Sequence, residues 1–234
     1  LFLSMQYPKE NLLFDISDKK GPQDFLRQFL PDHVVNGIGH PEDSLAYILR
    51  HTQLMPRQLL LILNSIFQLA YSDEVKTYPV VDATSVVVGI KHVESRLTQE
   101  VCSAFRNRYP ELKAVCESVI KYLPLIFDEG ILHNVFNLHG KKAFALGDFD
   151  DFKRMLVEAA VVGRVVNDVG DRYVEGMFEY TAAHKLIIST DDKLCLHPIF
   201  AEVFHFKKSS DDRAIYPWGT DPDCDDYRDH QLWI

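Results

Sequence analysis

The sequence predicts a mainly α protein: a helical bundle followed by a winged-helix unit with a small antiparallel sheet. Three observations carry that expectation. Apolar residues recur at helical spacing from Phe25 to about Ala159. Proline or aspartate stands where these runs begin, as Pro41, Pro56, Asp82 and Asp148 do. After Gly163 the texture changes to short β-prone runs separated by turn residues.

In chain order, Phe2 to Ser4 reads as no more than the end of a strand, and residues 1–19 as the end of a preceding core or a linker. Gly21 to Pro31 frames a short amphipathic helix with Phe25, Leu26, Phe29 and Leu30 on one face. Val34 to Gly39 reads as a loop, and Pro41 opens a helix in which Glu42 and Asp43 suit the positive end of the dipole. The helix from Pro56 to Ala70 is apolar around nearly its whole circumference, which predicts the most buried helix of the first half. Asp82 is a cap for a long helix over 83–108, which Gly89 interrupts and Pro110 ends. Helices follow over 111–123 and 128–138, and a third begins at Asp148 with Phe152, Met155, Leu156 and Ala159 on one face. Arg164–Val166, Tyr173–Tyr180, Lys185–Ser189 and Lys193–Leu196 read as strands, with Asp191-Asp192 as a turn between the last two. Ile199 to Phe206 returns to helix or turn. Residues 207–234 read as an acidic surface tail, pinned if at all by Trp218, Tyr227 and Trp233.

A chain of 234 residues suffices for one ordinary domain or two small ones. It holds no run of about 18 apolar residues, so no helical membrane span is expected. The start, Leu1 to Tyr7, lacks the basic and apolar regions of a signal peptide and does not begin with Met, which suggests a fragment. Cys102, Cys116, Cys195 and Cys224 are widely spaced, and Cys102 and Cys116 read as small core residues of a reduced, cytoplasmic protein. The formal charge is -9; residues 1–147 contribute about -1, 148–206 about -5 and 207–234 about -3. Such a balance argues against unspecific nucleic-acid binding, which needs a basic surface. The start of the helix at Asp148, with Asp150 and Asp151, presents the wrong sign to a phosphate backbone, so a winged helix here is expected to dock protein rather than DNA.

No G-x-x-x-x-G-K-[ST] loop is present; His139-Gly140-Lys141-Lys142 lacks both the first glycine and the hydroxyl residue. The chain is therefore not expected to be an NTPase alone. His133 and His139, and His197 and His205, are spaced too widely for a helical metal pair, so no metal site is expected. No G-x-S-x-G elbow occurs. Asp221 to Asp226 resembles the start of a calcium loop but lacks its turn glycine and later glutamate, and reads as solvated tail.

The most informative stretch runs from Tyr47 to Asn64. Arg57 lies in the first turn of an apolar helix, where a cation opposes the helix dipole by several tenths of a kcal/mol unless an anion is near. A guanidinium suits phosphate oxygens; a surface pair with Glu42 or Asp43 is the alternative, and spacing does not decide between them. Pro56-Arg57, the Leu-rich helix and Asn64 resemble the sensor-2 helix in the lid of AAA+ and STAND-type P-loop ATPases. Arg50-His51-Thr52-Gln53, Phe178-Glu179-Tyr180 and Leu196-His197-Pro198-Ile199-Phe200 resemble strings in a bacterial family of P-loop ATPases of uncharacterised function. The resemblance covers roughly residues 1–206. It implies a lid-like helical domain over 20–108, a winged-helix-like domain over 110–206, and a nucleotide-binding core that this chain does not contain. It also implies that Arg57 contacts the terminal phosphate of ATP, with Mg, bound to that core. The expected function is that of a non-catalytic carboxyl-terminal regulatory or lid fragment, coupling nucleotide state to a protein partner through the winged helix. The alternatives are a DNA-binding winged-helix regulator and a free-standing protein-interaction module.

Overall fold

Asp43 closes a hairpin and opens a helix. In the computed structural model, which describes residues 25–37, 39–71, 81–145, 147–210 and 212–220, strand β1 (His33–Val35) pairs antiparallel with β2 (Pro41–Asp43). The Asp43 carboxylate then accepts from Ala46 N–H at 2.9 Å and caps α1 (Ser44–Arg50), satisfying one of the donors a helix start leaves open. Every residue of α1 is buried. A turn through Leu54, at φ 54°, leads to α2 (Pro56–Tyr71), whose proline occupies the position that needs no N–H donor. Asp82 caps α3 (Ala83–Ala104) by accepting from Ser85 N–H at 2.7 Å.

α2 and α3 pack closely because Gly89 faces Ile66. A Cβ at position 89 would lie 2.9 Å from the Ile66 Cα, closer than real side-chain atoms approach. The glycine that weakens this helix locally is thus what lets the two backbones meet.

The second half repeats the capping logic. α4 (Leu112–Val119) runs through a single 3-10 turn to β3 (Ile126–Phe127). Asp128 caps α5 (Glu129–Val135), which ends in a π-turn over Phe136–Gly140, and Asp148 caps α6 (Phe149–Glu158). β4 (Val162–Asp168) and β5 (Tyr173–Met177) form a hairpin; β6 (Leu194–Leu196) leads into α7 (Pro198–Val203) and finally β7 (Ala214–Pro217). The sheet order is β3-β6-β4-β5-β7, antiparallel except for the parallel pair β5/β7, which is in register from Tyr173 opposite Ala214 to Gly176 opposite Pro217.

One buried apolar cluster runs from Leu30 through Ile48, Ile62 and Ile90 to Phe152, Leu194 and Ile215. It joins the helices of the first half to the sheet of the second. α3 and α7 are further tied by Thr98, whose hydroxyl donates to the Ile199 carbonyl at 3.3 Å.

This architecture corrects the expected class. The protein is not a mainly α bundle with a winged helix and a small antiparallel sheet; it is mixed α/β, 47% of the described residues being helical and 15% strand, with a five-stranded mixed sheet and a two-stranded one. The reasons are local. Pro41 starts a strand, not a helix, because Val34 pairs with Glu42 across the hairpin. Residues 214–217, within the segment read as a tail, form a buried strand against β5. Lys185–Ser189 is not a strand, and Ile187 within it is 76% exposed. α2 is not the most buried helix, since Leu60 is 66% exposed; α1 is. The readings for residues 1–24 and for 221–234, including Asp221–Asp226 and Cys224, fall outside the described residues.

Candidate functional site

The turn between α1 and α2 carries two kinds of polar site, one buried and one open. In the buried one, β2 places Glu42 inward and α1 places Arg50 against it. Arg50 donates through Nε to Glu42 Oε2 at 2.8 Å and through Nη2 to Oε1 at 3.0 Å, a two-pronged match of guanidinium to carboxylate. Asn36 Nδ2 and the Tyr216 hydroxyl, from β7, each add a 2.5 Å bond to the same carboxylate. The Arg50 guanidinium also lies over the Tyr47 ring, 4.8 Å from its centroid. Burial opposes the Arg50 charge, but Glu42, Tyr216 and Tyr47 outweigh it and raise the pKa; the Tyr216 hydroxyl is pushed up by burial and by Glu42.

Of the next three residues, Thr52 and Gln53 reach across to the second half. The His51 Nδ1–H donates to the Tyr47 carbonyl at 2.7 Å. The Gln53 N–H donates to Gln58 Oε1 at 2.6 Å, and Gln53 Nε2 donates to the Ala159 carbonyl at 3.3 Å, just beyond α6. His197 Nδ1 accepts from Ile199 N–H at 3.2 Å, so its proton sits on Nε2, 2.8 Å from the Tyr180 hydroxyl. That hydroxyl in turn donates to the Thr52 carbonyl at 3.4 Å. Burial pushes His197 down to about 3, the Thr52 carbonyl opposing and Arg50 reinforcing the shift. Burial, with Arg50 beside it, also holds His51 well below its ordinary value. Both imidazoles are neutral at pH 7.

The open site is built on Arg57, one residue before Gln58. Its side chain is 74% exposed, and its Nη2 reaches Glu100 Oε1 on α3 at 3.3 Å. The same oxygen accepts from Arg96 Nε at 3.4 Å, Arg96 being 60% exposed. Arg57, Arg96, Gln99, Glu100, Ser103 and Ala104 line a shallow depression. The acidic partners proposed for Arg57 from sequence are taken elsewhere: Glu42 by Arg50 and Asp43 by Arg27. A second recess has Arg50 on its wall, with Glu202 also lining it. There Arg50 is already engaged by Glu42, and Glu202 adds negative charge, to which buried Glu94 responds: burial and Glu202 raise it to about 7. For an anion, the Arg57 depression is the better place.

Comparison with protein-family models, curated proteins and solved structures finds no match to this chain.

The three strings on which the ATPase resemblance was drawn are far apart in sequence but meet in space. Thr52, Tyr180 and His197 are joined by the contacts above, and Phe178 packs edge-on against His197 with ring centroids 4.8 Å apart. The sequence singled out these strings; it did not show that they touch, nor that Glu42 and Tyr216 complete the neighbourhood.

The remaining candidates do not assemble. His139 stacks on Tyr122 at 3.6 Å between centroids, while His133 packs edge-on to Phe149. His197 is buried and His205 exposed. Among the described residues no group of three His, Cys, Asp or Glu is placed to hold a metal. Cys102, Cys116 and Cys195 are buried thiols, each pushed up by burial, Cys102 to about 11 and Cys195 to about 12. At the start of α6, Lys153 is paired with Glu129 at 2.6 Å and Arg154 with Asp151, leaving no cationic excess for a nucleic-acid backbone there. No helix among the described residues is long and apolar enough to cross a membrane.

Proposed function

We propose that this chain is a non-catalytic regulatory region of a cytoplasmic P-loop ATPase, reading the nucleotide state of a separately encoded or preceding core and passing it to a protein partner. Arg57 is the reader, and the terminal phosphate of Mg-ATP on that core is its target. The observation that carries this reading is the position of Arg57. Its guanidinium projects into solvent from the rim of a depression, loosely held by one shared carboxylate oxygen, whereas Arg50 at the other end of the same turn is buried and doubly bonded to Glu42. An exposed pair of this kind is worth about 0 to 1 kcal/mol, so leaving Glu100 for a phosphate costs little.

The transmitting part is the turn behind it. Gln58 bonds the Gln53 backbone, Gln53 bonds the end of α6, and Thr52 meets Tyr180 and His197. A displacement of the first turn of α2 is therefore felt at α6 and at the loop after β5, without the winged helix first expected. The neutralised cations of α6 favour a protein partner over DNA.

Two measurements test the reading. The open reading frame that encodes this chain, or a partner it copurifies with, should carry a G-x-x-x-x-G-K-[ST] loop. In the protein that includes that loop, Arg57→Ala should lower ATP turnover at saturating Mg-ATP by about tenfold or more, as loss of one phosphate-stabilising donor does. Unchanged turnover removes the assignment.

A further inference from the structure

Glu100 is shared between two arginines through a single oxygen. One oxygen, Oε1, accepts from both Arg57 and Arg96, at 3.3 and 3.4 Å, whereas charge-assisted bonds ordinarily close to about 2.7–2.9 Å. The two guanidiniums come from different helices, α2 and α3, and converge on this single point. Counting the three side chains, two positive charges face one negative, a local excess of one positive charge on a chain whose formal total is -9. Gln99 and Ser103, which carry further donors, line the same depression.

We propose that Arg57 and Arg96 together form a polyphosphate site in which Glu100 is an internal stand-in, its carboxylate occupying the place of a phosphoryl group when none is bound. This rests on the reading of Arg57 above and extends it: Arg96 is a second phosphate-binding residue, and Glu100 sets the affinity by competing. A phosphoryl group brings three oxygens where Glu100 offers one, so each guanidinium gains its own acceptor at normal length. Glu100 then turns aside, its charge opposing the ligand's. Glu100 lowers the affinity for free polyphosphate without abolishing binding, and a core that presents the ligand at high local concentration overcomes that competition.

The test is titration of this 234-residue chain with inorganic tripolyphosphate at low ionic strength, by calorimetry. Glu100→Gln, which removes the competing charge and keeps the shape, should tighten binding about three- to fivefold. Arg96→Ala should loosen it by a similar factor, and Arg96→Lys should restore part of the loss. Both positions are open to solvent, and thermal midpoints equal to the parent's check that folding is intact. Glu100→Gln binding no more tightly than the parent, Arg96→Ala binding as the parent does, or no heat from either parent or Glu100→Gln would each overturn the proposal. Its failure is separable from that of the ATPase reading. Arg57→Ala that still lowers ATP turnover, with Glu100→Gln inert toward tripolyphosphate, sinks only the stand-in role. Normal turnover in Arg57→Ala, with Glu100→Gln tightening tripolyphosphate, sinks the ATPase reading and leaves an anion site.

Discussion

Arg50 and Arg57 flank the same turn and each faces a glutamate, yet the two pairs differ in every physical respect. The Arg50–Glu42 pair has side chains 9% and 4% exposed, two short bonds, and further donors from Asn36 and Tyr216. The Arg57–Glu100 pair is open to water and held by one long contact. A buried pair that loses one member leaves an uncompensated charge; an exposed one leaves a solvated side chain. The first pair therefore fixes the structure and the second is available to a ligand, although in sequence they look alike.

The largest effect expected from that contrast is on stability. Glu42→Ala strands Arg50 in the core and should cost about 3–5 kcal/mol in urea unfolding; a cost below about 1 kcal/mol would mean the pair is not buried as described. Tyr180→Phe removes the hydroxyl that meets His197 Nε2 and the Thr52 carbonyl, and should cost about 0.5–1.5 kcal/mol, the net worth of a buried hydrogen bond, the Thr52 carbonyl remaining beside the imidazole.

Acidification sharpens the comparison further. His51 and His197 are held neutral in the fold, so below about pH 6.5 the unfolded chain takes up two protons that the native one refuses. Glu94, raised to about 7, works the other way, because the native state binds its proton first. Between about pH 4.5 and 6.5 the balance is one extra proton on the unfolded chain. Stability should then rise with pH by roughly 1 to 1.5 kcal/mol per unit. Flat stability across that window would contradict the burial of the two imidazoles. The smallest effect is expected at the open pair: Arg57→Ala should change stability by less than about 0.5 kcal/mol.

Much of the helical framework was legible because it is written locally. Asp82, Asp128 and Asp148 cap helices as their positions predict, and Pro56 opens one. The strands at 162–168, 173–177 and 194–196 are visible in sequence, though with other bounds, as 164–166, 173–180 and 193–196. What escaped depends on partners far away in the chain. Ala214–Pro217 sits in a polar, Asp-rich stretch and is a strand only because Tyr173–Gly176 lies beside it. Pro41–Asp43 reads as a helix start until Val34 is known to face Glu42. The same holds at the sites. Arg57 was legible as a cation misplaced on a helix dipole, whereas Glu42 and Tyr216 are brought together by folding alone, from positions 174 residues apart.

The account stands most directly on ATP turnover by the protein that unites this chain with a phosphate-binding loop, measured for Arg57→Ala at saturating Mg-ATP alongside urea unfolding of the same variant. A fall of about tenfold or more in turnover at unaltered stability is the predicted result. Unaltered turnover, or a loss that tracks a loss of fold, would contradict it.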